Sequence, residues 1–162
     1  MIESILTIGA HGFDAATFAQ RLRDSCVDLF IDIRARRGVR GAGYAFANSE
    51  RLQASLSAAG IAYTHAKELA PSEEVRQAQW AADAASKIKK RDRSRLSDAF
   101  AAAFAREALG GFDSHRFIAT HCGSAHRPVL FCVEREPMAC HRSLVADRLA
   151  KDLNVPIVHL LP

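Results

Sequence analysis

Five short, almost unbroken apolar runs, separated by amphipathic stretches, constrain this chain more than any other feature. They cover Ile5 to Gly9, Leu29 to Arg34, Ile61 to His65, Val129 to Glu134 and Pro156 to Leu160. A strand that is wet on one face alternates apolar with polar residues. A strand covered on both faces does not alternate, which is the habit of a parallel sheet lying between helical layers. The stretches between the runs have helical periodicity and helical ends. Asp14 can cap a first helix reaching about Ser25, with Phe13 and Phe18 in the two positions of a hydrophobic staple. A second helix from about Ser49 presents Leu52, Leu56 and Ala59 on one face and stops at Gly60, which enters the left-handed region without penalty. A last helix begins near Cys140, turns Leu144, Val145, Leu149 and Leu153 inward, and ends around Lys151 and Asn154, ahead of Pro156.

The pattern predicts one α/β domain over residues 1–162, a three-layer α/β/α sandwich around a Rossmann-like, mostly parallel five-stranded sheet. Right-handed crossovers that cover both faces suggest the strand order 3-2-1-4-5. Residues 71–122 form a helical insert between strands three and four, opening on Pro71, Ser72, Glu73 and Glu74. Trp80, Phe100 and Phe104 are its inward-facing candidates; its apolar content is otherwise mostly alanine, so it should lie against one face or edge of the sheet.

Composition excludes several classes. Hydrophobic residues at 49% and charged residues at 25% are far from a disordered chain. The opening Met-Ile-Glu-Ser-Ile-Leu lacks the basic-then-apolar pattern of a secretory leader, and no run approaches a membrane span. Cys26, Cys122, Cys132 and Cys140 include no CxxC pair, which favours reduced thiols and the cytoplasm. A net charge of +4 tilts the chain only mildly toward anionic partners.

In a doubly wound sheet, ligands bind beyond the carboxyl ends of the strands. Polar residues crowd that edge here. Strand one delivers Gly9, His11 and Gly12; strand two delivers Asp32 and Arg34; strand four delivers Glu134 and then Cys140, His141 and Arg142. Cys140 at a helix start sits where unpaired amides favour a thiolate or a bound anion, His141 exchanges protons near neutrality, and Arg142 offers a planar fork for an oxyanion. Asp32, Glu134, Cys140 and His141 are therefore the catalytic candidates, with Arg34, Arg142, Gly9, His11 and Arg40 as ligand-binding candidates. Asp32 and Glu134 could instead form an acid/base pair or hold a divalent metal, although no zinc-type ligand spacing is present and no metal is expected. An ion pair between Asp32 and Arg142, with Cys140 as a small buried filler, is the purely structural alternative.

Two basic regions add a possible nucleic-acid surface. The glycine-rich stretch Ala35 to Asn48 contains Arg36, Arg37, Arg40, Tyr44 and Phe46 and could fold over an anionic ligand as a lid. Lys87, Lys89, Lys90, Arg91, Arg93 and Arg95 fall in a helical region, where such runs are usually a wet face. His121-Cys122 followed by Arg127 imitates a cysteine-phosphatase loop, but it is one residue short and precedes strand four instead of following a strand, so both residues read as structural.

Thr7-Ile8-Gly9, Asp32-Ile33-Arg34, Cys132-Val133-Glu134 with Pro137 and Cys140-His141-Arg142, and His159 together give the chain a resemblance to the bacterial family known as domain of unknown function 488. The resemblance spans nearly the whole sequence and implies the fold and the position of the site; it implies no particular reaction. Departures fall in the same region. Ala10 stands where the family usually has histidine, with His11 one place later; Arg37 and Val39 replace a usual proline and serine, and Ala70 a usual glycine.

The sequence thus supports a small enzyme acting on an anionic, phosphorylated or nucleotide-like substrate, with Arg34 and Arg142 as anion clamps. Its rivals are a non-catalytic module that binds nucleic acid or nucleotide, and an ion-pair network without a ligand.

Overall fold

A computed structural model describes residues 1–89 and 92–162. In chain order it contains β1 (Ile5–Gly9), α1 (Ala15–Asp24), β2 (Leu29–Asp32), α2 (Ser49–Ala58), β3 (Ala62–His65), α3 (Glu73–Ser86), α4 (Asp98–Glu107), α5 (Ser114–His121), β4 (Pro128–Cys132), α6 (His141–Leu153) and β5 (Ile157–Leu160). All four strand pairings are parallel, in the order β3-β2-β4-β1-β5. Alternate residues serve opposite layers. Leu6, Ile8, Phe30, Val129 and Phe131 meet Phe18 and Leu22 of α1 and Leu52 and Leu56 of α2. Ile5, Leu29, Ile31 and Leu130 meet Phe100 and Phe104 of α4, Phe117 of α5, and Val145 and Leu149 of α6. The result is a three-layer α/β/α sandwich.

The strand order differs from the expected 3-2-1-4-5 because β4, not β1, takes the centre of the sheet. β4 is Pro-Val-Leu-Phe-Cys, buried throughout, and gains most from cover on both faces and both sides. β1 instead carries Thr7, whose hydroxyl hydrogen-bonds His159 Nδ1 on the edge strand β5 at 2.8 Å.

Strands two and four also stop earlier than their apolar runs. After β2, Asp32 Oδ1 accepts the amide of Arg34 at 3.1 Å, a local turn that competes with the ladder. After β4, the Glu134 carbonyl is taken by a side chain, Arg142 Nη1, at 2.6 Å. Helix ends follow the local signals. Asp14 Oδ1 accepts the Thr17 amide at 2.8 Å and the Phe13 and Phe18 rings lie 5.6 Å apart; Gly60 and Asn154 have φ of +71° and +55°. Ala59 falls beyond the last turn of α2 and is exposed, not part of its buried face.

In the insert, Phe100 and Phe104 are buried as expected, but Trp80 is 51% exposed. α3 buries Val75 and Gln79 instead, because the Gln79 side chain ties α3 to α4 by accepting the Ser97 amide at 2.8 Å. The basic run is not helical where it is described. α3 ends at Ser86, Lys87 is left-handed with φ +55°, and Arg93 folds back to pair with Asp83. Lys90 and Arg91 lie outside the described residues. Among the described residues no helix is long and apolar enough to cross a membrane.

Candidate active site

The ends of β2 and β4 and the start of α6 converge on a cleft of about 290 Å³, lined by Cys132, Glu134, Cys140 and His141 together with Arg34, Arg36, Arg76 and Arg93. Trp80 stands at this cleft too, which accounts for its exposure. A different hollow of about 350 Å³ between α1 and α2 is lined mostly by alanine, leucine and phenylalanine and gathers no pair of reactive groups.

Asp32 and Arg34 form a buried bidentate pair. Arg34 donates from Nε to Oδ1 at 2.8 Å and from Nη2 to Oδ2 at 2.7 Å. Its Nη1 donates to the Ala47 carbonyl at 2.9 Å, and its guanidinium lies 4.6 Å above the Phe131 ring. Tyr63 Oη donates to Asp32 Oδ2 at 3.0 Å, and His65 Nε2 donates to the Arg34 carbonyl at 2.8 Å. Asp32 is thus partnered by its near neighbour and not by Arg142. The pair ties the end of β2 to the glycine-rich segment, whose later part winds as a 3-10 helix over Ala42–Ala47. Phe46 packs on Phe18 at 5.1 Å and Tyr44 on His11 at 4.9 Å. Arg40 is exposed farther along, outside the cleft lining.

Asp32→Asn should cost about 3–5 kcal/mol of stability, because it leaves the Arg34 charge in a dry site without its counter-ion. Urea unfolding measures this, and a loss below about 1 kcal/mol would mean that the pair is not what holds this end of the sheet.

Arg142 is fully buried and works inward. Nη1 donates to the Glu134 carbonyl at 2.6 Å and Nη2 to the Arg135 carbonyl at 2.9 Å, while Nε has no hydrogen-bond partner among the described residues. Gly9 makes room for this arrangement. A Cβ on it would lie 1.9 Å from the Glu134 oxygen and 3.3 Å from Arg142 Nη1. His11 faces a neighbouring hollow shared with Tyr44, Arg93, Glu134 and Arg135.

Two sulfurs and an imidazole form one cluster at the cleft. Cys140 is the N-cap of α6, and the donor atoms of Cys132, Cys140 and His141 all lie within 4.8 Å of one another. His141 Nδ1 faces Cys140 Sγ at 3.8 Å, while Nε2 donates to the Ile33 carbonyl at 3.3 Å. That second bond keeps a proton on Nε2 and leaves Nδ1 to exchange with the thiol. Cys132 has one proton and two acceptors for it, Glu134 Oε2 at 3.2 Å and the Cys140 sulfur.

Burial opposes ionisation of Cys140, but the Cys132 hydrogen bond and the His141 charge outweigh both burial and the nearby Glu134, pulling the thiol down to about 5. Cys132 moves well above its ordinary value, because it donates to Cys140 and because it is buried. His141 is raised: burial works against its cation, but Cys140 and Glu134 more than compensate. The three shifts act in one direction, favouring the thiolate on Cys140, the cation on His141 and the thiol on Cys132. These three are also the described residues whose donor atoms come close enough together to hold a metal ion. By contrast, burial pushes the Cys122 thiol up to about 12, and Arg127 is occupied by the Ser25 carbonyl at 2.9 Å, far from any cradle for an anion.

Of the sequence candidates, the fold brings Glu134, Cys140, His141 and Arg34 to one cleft, sets Gly9 and Arg142 against the Glu134 carbonyl and not in the cleft lining, and leaves Arg40 outside. Asp32 and Glu134 enter separate networks. Cys132 is a site residue that sequence reasoning missed although a signal existed: it precedes Glu134 by two in one apolar run, the spacing that sends two strand side chains to one side. The two side chains meet at 3.2 Å although β4 itself ends at Cys132. Arg76 and Arg93 come from the insert, and nothing local ties them to the strand ends.

No curated protein and no solved structure matches the chain. The family model of the domain of unknown function DUF488 matches residues 14–149. That span holds Asp32, Arg34, Cys132, Glu134 and the Cys140-His141-Arg142 motif, and leaves Gly9 and His159 outside it. With the match covering most of its length, the chain belongs to the DUF488 family.

Proposed function

We propose that the protein is a small enzyme that uses Cys140 as a nucleophile on an anionic, phosphorylated or nucleotide-like substrate held in the arginine-lined cleft. The observation that carries this reading is the Cys140–His141 contact, oriented from behind by the Ile33 carbonyl and opening onto a cleft lined by Arg36, Arg76 and Arg93. Cys140 Sγ bonds to the electrophilic atom of the substrate as the bond to the leaving group breaks. His141 gives its Nδ1 proton to that leaving group, and the Nε2–H bond to Ile33 holds the neutral tautomer that remains. Water then releases the adduct, returning a proton to His141. The rival view of a non-catalytic nucleic-acid surface would draw on the exposed Arg36 and Arg40 but leaves the Cys140–His141 contact without a role.

Alkylation of the reduced protein by iodoacetamide tests this, and the shape of the pH profile is more telling than the speed, since a low-pKa thiolate is also a weaker nucleophile. Between pH 7.5 and 5.5 a free cysteine loses about 100-fold in rate as its thiolate is protonated. Cys140, titrating at about 5, should change less than about twofold over that interval and fall only below it. Inorganic phosphate and a nucleoside monophosphate should both slow the reaction. A Cys140 that follows the free-cysteine profile, or that neither ligand protects, sinks the reading.

A further inference from the structure

Cys132 takes no bond-making part in the chemistry above, yet its sulfur lies within 4.8 Å of the Cys140 sulfur and both thiols open onto the same cleft. They arrive from different elements, the last residue of β4 and the N-cap of α6, joined by a short connection that contains Glu134. We propose that Cys132 is the resolving thiol for Cys140, so that a small hydroperoxide entering the cleft is reduced there and leaves a Cys132–Cys140 disulfide. This rests on the reading of Cys140 as the reactive nucleophile of the cleft.

The chemistry balances with groups already in place. The Cys140 thiolate attacks the distal peroxide oxygen and the O–O bond breaks. Cys140 becomes a sulfenic acid, and the departing alkoxide or hydroxide takes a proton from His141 Nδ1. Cys132 Sγ then attacks the sulfenic sulfur. Its proton passes to Glu134 Oε2, 3.2 Å away, and on to the departing hydroxide, which leaves as water. The sulfurs must close to ~2.05 Å, which calls for rotation of both cysteine side chains and a shift of the part of the connection beyond Arg135, since Arg142 holds the Glu134 and Arg135 carbonyls. A small dithiol reductant reverses the reaction by two thiol–disulfide exchanges, becoming a disulfide itself.

The other cysteines serve as internal controls. Cys122 is buried and Cys26 is exposed on the surface, so a disulfide that joins two molecules through Cys26 shows in the intact mass, and one within the chain shows as a link to the Cys26 peptide.

The test uses the full chain, reduced and freed of reductant, then given a few equivalents of hydrogen peroxide. Monomer mass should fall by about 2, with two thiols lost. Trypsin cuts after Arg135 and so separates the peptide holding Cys122 and Cys132 from the Cys140 peptide; after oxidation the two should be recovered linked, with fragment ions placing the bond on Cys132, and dithiothreitol should part them. In Cys132→Ala, a dimedone-trapped sulfenic acid should accumulate on Cys140 at least about tenfold above the parent protein. In Cys140→Ser neither product should form.

An oxidised parent protein whose Cys132 still alkylates while Cys140 has gone to sulfinic acid overturns the resolving role and leaves the nucleophile reading standing. A Cys140 inert to both peroxide and iodoacetamide overturns both. The peptide map of the parent protein decides the matter even if a variant fails to fold.

Discussion

Arg142→Met should lower the free energy of unfolding by about 3 kcal/mol or more, even though no acidic side chain is lost with it. The substitution keeps most of the apolar stem and removes only the fork, which satisfies the carbonyls of Glu134 and Arg135 inside the protein. Each charged hydrogen bond to these part-buried carbonyls is worth about 1.5–3 kcal/mol, and relief from burying the guanidinium charge offsets only part of that sum. For a chain of this length about 3 kcal/mol corresponds to a fall of roughly 6–12 °C in Tm. Differential scanning calorimetry reads it directly. Arg142→Lys tells charge from geometry. A lysine restores the charge but cannot donate in parallel to two carbonyls, so it should recover less than half of the loss. Full recovery by lysine would show that charge and not the fork holds the connection after β4, and an unchanged Tm in Arg142→Met would remove Arg142 from the architecture of the site.

Gly9→Ala should be at least as damaging, about 3 kcal/mol or more, and should reach the chemistry as well as the fold. The added carbon meets the Glu134 oxygen at 1.9 Å and the carbonyl carbon at 2.9 Å. These are backbone atoms on a segment already gripped by Arg142, so no side-chain rotation relieves the clash. Either the end of β1 or the connection after β4 must move. Since that connection carries Glu134 and leads to Cys140, the alkylation profile of Cys140 should drift toward that of a free cysteine in whatever protein still folds. Circular dichroism and the alkylation assay at pH 5.5 follow the two effects separately. Gly9→Ala and Arg142→Met strain the same carbonyl, so their costs should not add; the double variant should be less unstable than the sum by about 1 kcal/mol or more. Strict additivity would mean that the two residues act on different parts of the structure.

Much of the framework was legible before any coordinates. Asp14, Gly60 and Asn154 mark helix ends because capping involves only a residue and its neighbours within one turn. The continuous apolar runs announce strands, and all of them are strands of the parallel sheet, but only β1, β2 and β4 are covered throughout, while the edge strands β3 and β5 are partly exposed. Errors arose where a residue had a choice of distant partners. Trp80 looked like core on size alone, but α3 had Val75 and Gln79 available for that face. Arg34 and Arg142 looked alike as anion clamps, yet one found Asp32 and the other two carbonyls before any ligand could be considered. Strand order went astray for a related reason: β1 and β4 are both apolar, and only the sum of cover on two faces and two sides decides which lies central.

From its sequence alone the chain's secondary structure, its α/β class and the motif Cys140-His141-Arg142 could be read, because periodicity, caps and motifs are properties of residues a few places apart. Tertiary structure alone decided that β4 lies between β2 and β1, that Cys132 meets Cys140, and that Arg76 and Arg93 line the same cleft. Such contacts are settled when the whole sheet competes for burial, and the partners of a buried charge or thiol follow from which strands win that competition.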